Sequence, residues 1–288
     1  MKYKDRVVEM LFNTNAFRVA PKDEPFWYAS CEVGPFYINT HFLYGSEKEA
    51  SKLLEIIDNV KDDIFNCPKT ILNFVKENYN NNDLYRELIN IALDYIKRNV
   101  NLKNIEYISG GERRDWFFSL IIADLLDMKH ITIYKNKKII ITYKGHLENV
   151  SDLENKKVFH IADLITKASS YKSVWIPAIK ENNGTINNSL VIVDRNQGGY
   201  EVLEEEGINS HCLIKVDNEF FNRAKNQKLI TDSQKDFILE YLKNPKETME
   251  NFLKENPEFL KNALRAGDIK IKLRAKQCIE KKIYRISN

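Results

Sequence analysis

No apolar run in this chain approaches the ~20 residues needed to cross a bilayer. The opening stretch MKYKDRVVEMLFNTNAF interrupts its apolar residues with Asp5 and Glu9, so it does not read as a signal peptide. Cysteine is scarce: Cys31, Cys67, Cys212 and Cys278 are scattered and have no metal-ligand spacing. The expectation is reduced thiols in a cytoplasmic protein, not a disulfide framework or a zinc site. No charge sign dominates either, since 44 basic and 41 acidic residues leave a net charge of +3. Dedicated nucleic-acid and membrane binders usually carry a strong basic field, so neither partner is expected. Internal repeats and low-complexity segments are absent. One further absence is local. VFHIADLITKASSYKSVWIPAI, residues 158–179, passes from apolar strand through an acid and a polar turn into a helical pattern without a glycine. Phosphate cradles at such turns usually contain glycine, because backbone amides must come close to the anion.

The chain does have the means to build a core. Its 288 residues are 43% hydrophobic and 30% charged, which suits a globular protein. Residues 1–45 read as a short helix followed by aromatic-rich strands. Residues 46–100 read as a helical block: Ser46 and Glu49 form a capping box, and Leu53, Ile57, Val60 and Ile64 recur at helical spacing. Over 101–217 strands alternate with helices, which implies a mainly parallel sheet covered on both faces. The tail, 218–288, is helical, with a capping box at Thr231 and Gln234 and helix starts at Pro245 and Pro257. Its last helix carries Lys270, Lys272, Arg274 and Lys276, read mainly as a solvated basic face. The fold class is therefore α/β, a mainly parallel sheet flanked by helices, with a helical insertion and a helical C-terminal extension.

Ligands of such sheets bind at the C-terminal edge of the strands. Three loops fall there. SGGERRDW, 109–116, offers Gly110 and Gly111 for close backbone approach, and Arg113 and Arg114 for a forked grip on diphosphate; taken alone it reads rather as a helix start with solvated charges. The glycine-free stretch offers Asp163 to ribose hydroxyls, and Thr166, Ser169 and Ser170 to an anion; the alternative is a capped turn. VIVDRNQGGYEVLEEEGI places Asp194 and Arg195 at a strand end before Gly198 and Gly199. Arg195 could read a planar carboxylate, or the segment is a tight turn with a surface ion pair.

This last segment resembles the corresponding one of orotate phosphoribosyltransferases, where Asp-Arg and Gly-Gly stand at the same places. VFHIADLITKASS is similar to that family's phosphoribosyl-diphosphate loop. SGGERRDWFFSLIIADLLDMKHITIYK resembles the strand, glycine loop and helix before it, and ASCEVGPFYINTHFLYG resembles the N-terminal segment against the base. The resemblance implies a type I phosphoribosyltransferase fold and transfer of phosphoribosyl from its diphosphate to orotate or a related base. It implies Asp163 on the ribose hydroxyls and Thr166, Lys167, Ala168, Ser169 and Ser170 around the 5′-phosphate. Gly110, Gly111 and Arg113 would lie at the diphosphate, Arg195 on orotate, and Tyr37 and Ile38 at the base. Lys144 and His146 of TYKGHLEN would close over the diphosphate as catalytic residues. Magnesium, bound mainly through substrate, and a homodimer are implied as well.

The chain also departs from the family. Ala162 stands where the first of two adjacent acids belongs, Lys167 and Ala168 occupy turn positions rich in Thr and Gly, and Ala168 resists positive φ. Ala29, Cys31 and Glu32 stand around the family's basic positions, and Gly145 replaces the mobile loop's acid. These departures keep open a non-catalytic relative that binds nucleotide or phosphoribosyl diphosphate as a sensor or partner subunit.

Overall fold

The computed structural model describes residues 3–150 and 152–285. Along the chain run α1 (Tyr3–Asn13), β1 (Phe17–Val19), β2 (Phe26–Trp27), β3 (Val33–Gly34) and β4 (Phe36–Ile38). Three helices follow, α2 (Glu47–Val60), α3 (Cys67–Asn81) and α4 (Asp83–Asn99). Then come β5 (Tyr107–Gly111), α5 (Trp116–Leu125), β6 (Lys129–Ile133), β7 (Ile139–Tyr143), β8 (His146–Leu147) and β9 (Lys157–Ile165). After these are α6 (Ile176–Glu181), β10 (Thr185–Asp194), α7 (Gly199–Glu205) and β11 (Asn209–Lys215). Helices α8 (Asn218–Asn226), α9 (Asp232–Lys243), α10 (Pro245–Glu255), α11 (Pro257–Arg265) and α12 (Ile269–Glu280) close the described chain. Among the described residues no helix is long and apolar enough to cross a membrane.

The chain forms two compact units. One comprises the residues up to Ala16 with Asn39–Phe220, and the other Phe17–Ile38 with Phe221 onward. The first holds a seven-stranded sheet of order β11-β10-β9-β5-β6-β7-β8. Neighbours among β11, β10, β9, β5 and β6 pair in parallel, while β7 and β8 add an antiparallel edge. The α/β expectation, with a helical insertion and C-terminal helices, matches this architecture.

The all-apolar character of α5 follows from its place. Trp116 through Ala123 are all buried, because α5 packs on β5, β6 and β9 with one side and against α3 and α4 with the other. A helix covered on both sides has no polar face to keep. Each large side chain so buried contributes roughly 1.5–3 kcal/mol. The inserted α3 and α4 are thus the outer layer over α5, and α2 packs on α3. Helix α2 forms half of the expected capping box: the Glu49 amide donates to Ser46 Oγ at 3.2 Å, while the Glu49 carboxylate accepts from the Ser46 hydroxyl and not from its amide. On the opposite face of the sheet, Val158 and Ala162 of β9 pack with Trp175, Ile176 and Ile179. Strand β9 is buried on both faces, which is why it reads as an unbroken apolar run.

In the second unit β1 pairs with β4 and β2 with β3. Trp27 and Val33 share a core with Met249, Phe252 and Cys278, and Trp27 stacks on Phe259 at 5.7 Å. Thr231 and Gln234 form the expected capping box of α9, and Pro245 and Pro257 open α10 and α11.

Candidate active site

The chain steps outward from β5 to β6 in one direction and from β9 through β10 to β11 in the other. The boundary between β5 and β9 is therefore the sheet's topological switch point, where open α/β sheets form a crevice. The register shows the crevice opening. β5 and β9 pair over Tyr107↔Val158, Ile108↔Phe159 and Ser109↔His160. Beyond that point Gly110 and Gly111 stay with Thr132 and Ile133 of β6, while β9 follows β10 as far as Ile165↔Asp194. Over the wedge lies a cleft of about 280 Å³ bordered by Arg113, Arg114, Asp115, Lys135, Asp163 and the turn after β9.

Two carboxylates form its floor. Asp163 is 7% exposed, and its Oδ2 is buried without a hydrogen-bond partner. Asp115 stands at the start of α5 but caps nothing. Its Oδ2 accepts from the Gly111 amide at 3.0 Å and its Oδ1 from the Asp163 amide at 2.9 Å. Burial, then the Asp115 charge, holds the Asp163 carboxyl well above the usual carboxylate range, with Arg114 pulling partly the other way. Beneath them His160 is fully buried between Tyr171, at 4.9 Å, and Trp175, at 6.2 Å. Its Nδ1 shares a hydrogen with Ser109 Oγ at 2.9 Å, and its Nε2 lies 3.6 Å from Asp115 Oδ2.

The glycine-free turn forms a wall. Thr166, Ala168, Ser169 and Ser170 border the cleft, whereas Lys167 points to solvent outside its lining. Ala168 takes the conformation a glycine usually supplies, with φ +53°. The expectation that alanine resists this angle is met by burial: Ala168 is only 4% exposed, packed among Tyr171, Trp175 and Ile165. Ser170 makes no side-chain capping hydrogen bond to the segment that follows it. A wide π-type turn, Tyr171–Trp175, then leads into α6.

Cations form the remaining border. Arg113 is tied to Asp58 of α2. Arg114 is exposed. Lys135, in the tight turn between β6 and β7, is exposed and has its backbone amide held by Glu112 Oε2 at 3.0 Å. Neither Arg114 nor Lys135 has an ion pair among the described residues. His41 stays neutral nearby: burial, then Arg114 and Arg113, push it down to about 3.

Several candidate residues stand elsewhere. Gly110 and Gly111 are not a turn under a ligand; they are the last residues of β5 and lie outside the cleft lining. The space they leave is filled by protein: a Cβ on Gly110 would meet Ser119 Oγ at 2.0 Å, and one on Gly111 the Trp175 ring at 2.3 Å. Lys144 and His146 are also not at the cleft. β7 runs antiparallel to β6, so the turn joining β7 to β8 lies at the opposite, N-terminal edge of the parallel strands. There Lys144 pairs at 2.7 Å with Asp127, which precedes β6. Arg195 follows β10 directly and its amide donates to the Ile165 carbonyl at 3.0 Å. It stands beside the wall, outside the lining, with its Nε buried and unpaired. Gly198 has φ +88°, and Gly199 lets α7 approach the turn, since a Cβ there would meet the Thr166 carbonyl oxygen at 2.7 Å. Tyr37 and Ile38 belong to the second unit, where Tyr37 meets Phe26 and Tyr28 edge-on and Ile38 is buried.

Residues not singled out from the sequence are Asp115, Lys135 and His160. Asp115 reads as an ordinary helix cap, His160 lies inside an apolar run, and only the KNK between two strands hinted at Lys135.

No family model matches the chain. Over 107 residues it is 33% identical to an orotate phosphoribosyltransferase of Saccharolobus solfataricus, covering 36% of this chain and 54% of that protein. It thus spans about half the length of that relative. Over 175 residues it is 27% identical to an adenine phosphoribosyltransferase of Campylobacter hominis, covering 56% of this chain and 92% of that one. The crystal structure of orotate phosphoribosyltransferase from Francisella tularensis superimposes with a TM-score of 0.51 at 15% identity, over 81% of this chain and 96% of that one, a likeness of fold. In sequence and in fold, the chain resembles the type I phosphoribosyltransferases.

Proposed function

We propose that the cleft at the switch point binds phosphoribosyl diphosphate and that the chain transfers its phosphoribosyl group to a base, orotate first among candidates. The observation that carries this reading is Asp163: a buried carboxylate oxygen without a partner, near the end of β9 and in the same cleft as the polar turn that follows. In the reaction the ring nitrogen of the base bonds to the anomeric carbon as the bond to diphosphate breaks. Positive charge develops on the ribose and negative charge on the leaving group. Asp163 Oδ2 would accept from the ribose hydroxyls and hold the ring in place. The amides and hydroxyls from Thr166 to Ser170 would hold the 5′-phosphate, and Arg114 and Lys135 the diphosphate. Arg195 is the candidate for the carboxylate of orotate. Among the described residues no three His, Cys, Asp or Glu side chains converge as a metal cage. By the resemblance, magnesium would be carried by substrate oxygens and water, where it would neutralise the leaving charge. The resemblance also supports a homodimer, which sedimentation velocity tests.

The direct test is formation of orotidylate from orotate and phosphoribosyl diphosphate with magnesium, followed by a screen of other bases, adenine included. Absence of turnover with every base, together with absence of thermal stabilisation by phosphoribosyl diphosphate, overturns the proposal. A second reading, a non-catalytic binder, is favoured by the placement of Lys144 and His146 at the far sheet edge and by Ala162. Stabilisation without turnover identifies it.

A further inference from the structure

We infer that Asp115 is a positioning residue that holds Asp163 in place across the split between β5 and β9. The inference rests on the reading of the cleft as a phosphoribosyl-diphosphate site. Where the ladder between the two strands ends at Ser109 and His160, the amides of Gly111 and Asp163 face an opening wedge. Both find their partner on a single side chain, with Asp115 Oδ2 taking one at 3.0 Å and Asp115 Oδ1 the other at 2.9 Å. A carboxylate can do this because it accepts on two oxygens and donates on neither. An asparagine offers one acceptor and turns a donor toward the second amide. Asp115 begins α5, where such a residue ordinarily caps the first turn, yet it makes no capping bond. Its carboxylate is committed to the strands instead. The clamp fixes the width of the wedge and the backbone from which Asp163 presents its unpaired, buried Oδ2.

The inference is tested by comparing two ligands by calorimetry, phosphoribosyl diphosphate and inorganic diphosphate, each with magnesium. If Asp115 acts through Asp163 on the ribose, Asp115→Asn weakens phosphoribosyl diphosphate by about tenfold and leaves inorganic diphosphate within twofold. Asp115→Glu, which keeps the charge but displaces it by a methylene, gives the same split. Asp163→Asn and the double variant bind phosphoribosyl diphosphate equally, because two residues acting as one unit are not additive. Equal weakening of both ligands by Asp115→Asn, or additive losses in the double variant, overturns the inference and leaves the proposed function standing. Should the Asp115 variants fail to fold, hydrogen exchange in the wild-type chain decides. The Asp163 amide gains protection with phosphoribosyl diphosphate and not with inorganic diphosphate, and unchanged protection overturns the clamp. Failure of the wild-type chain to bind either ligand refutes the proposed site itself and the inference with it.

Discussion

Replacing Asp163 with asparagine should make the protein more stable and less able to bind. The carboxyl is 7% exposed, one of its oxygens lacks a partner, and burial with the Asp115 charge raises its pKa. A carboxyl whose pKa is higher in the folded chain than in the unfolded one stabilises the fold fully at pH below the unfolded value, about 4. That contribution is lost as pH rises through the folded value. Within this window each pH unit removes up to about 1.4 kcal/mol for one proton. For a domain of this size that corresponds to roughly 3–5 °C in Tm. Asparagine carries no proton to lose. Wild-type and Asp163→Asn proteins should therefore be closest near pH 4, and the variant should lead increasingly as pH rises above it, until the folded-state value is passed. The assay is thermal unfolding across that range, repeated with phosphoribosyl diphosphate and magnesium. At a hundredfold excess over the wild-type Kd, bound ligand should stabilise the wild type by about 2.7 kcal/mol and the variant, binding about tenfold more weakly, by only about 1.4 kcal/mol. Parallel pH profiles for the two proteins would refute the assigned direction of the Asp163 shift. Undiminished stabilisation of the variant by ligand would falsify its role at the ribose.

Other outcomes follow from the same geometry. Gly111→Ala and Gly199→Ala force a Cβ against the Trp175 ring and the Thr166 carbonyl, so each should lose about 1–3 kcal/mol in denaturant titration. Ala168→Gly gives up a buried methyl but relieves the φ of +53°, leaving stability within about 1 kcal/mol of wild type. Ala168→Val, branched at that same angle, should lose about 1–3 kcal/mol; equal stability of the two would show that the angle is not strained. Arg114→Ala and Lys135→Ala should each weaken inorganic diphosphate by about tenfold in calorimetry. Lys144→Ala and His146→Ala, at the opposite sheet edge, should bind it like wild type.

Some of the residues singled out by the resemblance border the cleft between β5 and β9, and others stand elsewhere in the fold. Strand β9 and helix α5 were legible because burial on every side leaves an unbroken apolar run, and Asp163 because it ends such a run. Gly110 and Gly111 misled because paired glycines usually punctuate a chain. Their reason is non-local: the side chains of Ser119 and Trp175 occupy the space where their Cβ atoms would be. Lys144 and His146 misled because a hairpin's spacing does not say which sheet edge its turn reaches; that depends on strand order. The pairing of β1 with β4, and the core that Trp27 shares with Met249 and Cys278, are likewise invisible to periodicity.

Local pattern was enough to establish alternating strands and helices, their caps, and an acid followed by a polar turn at a strand end. These depend on the spacing of apolar residues and on short-range hydrogen bonds, which a linear chain displays. Tertiary structure alone decided that β5 and β9 part at the switch point, that Asp115 bridges the gap, and that Lys135 reaches the cleft. Those are contacts between residues far apart in sequence, and only the order and register of the strands bring them together.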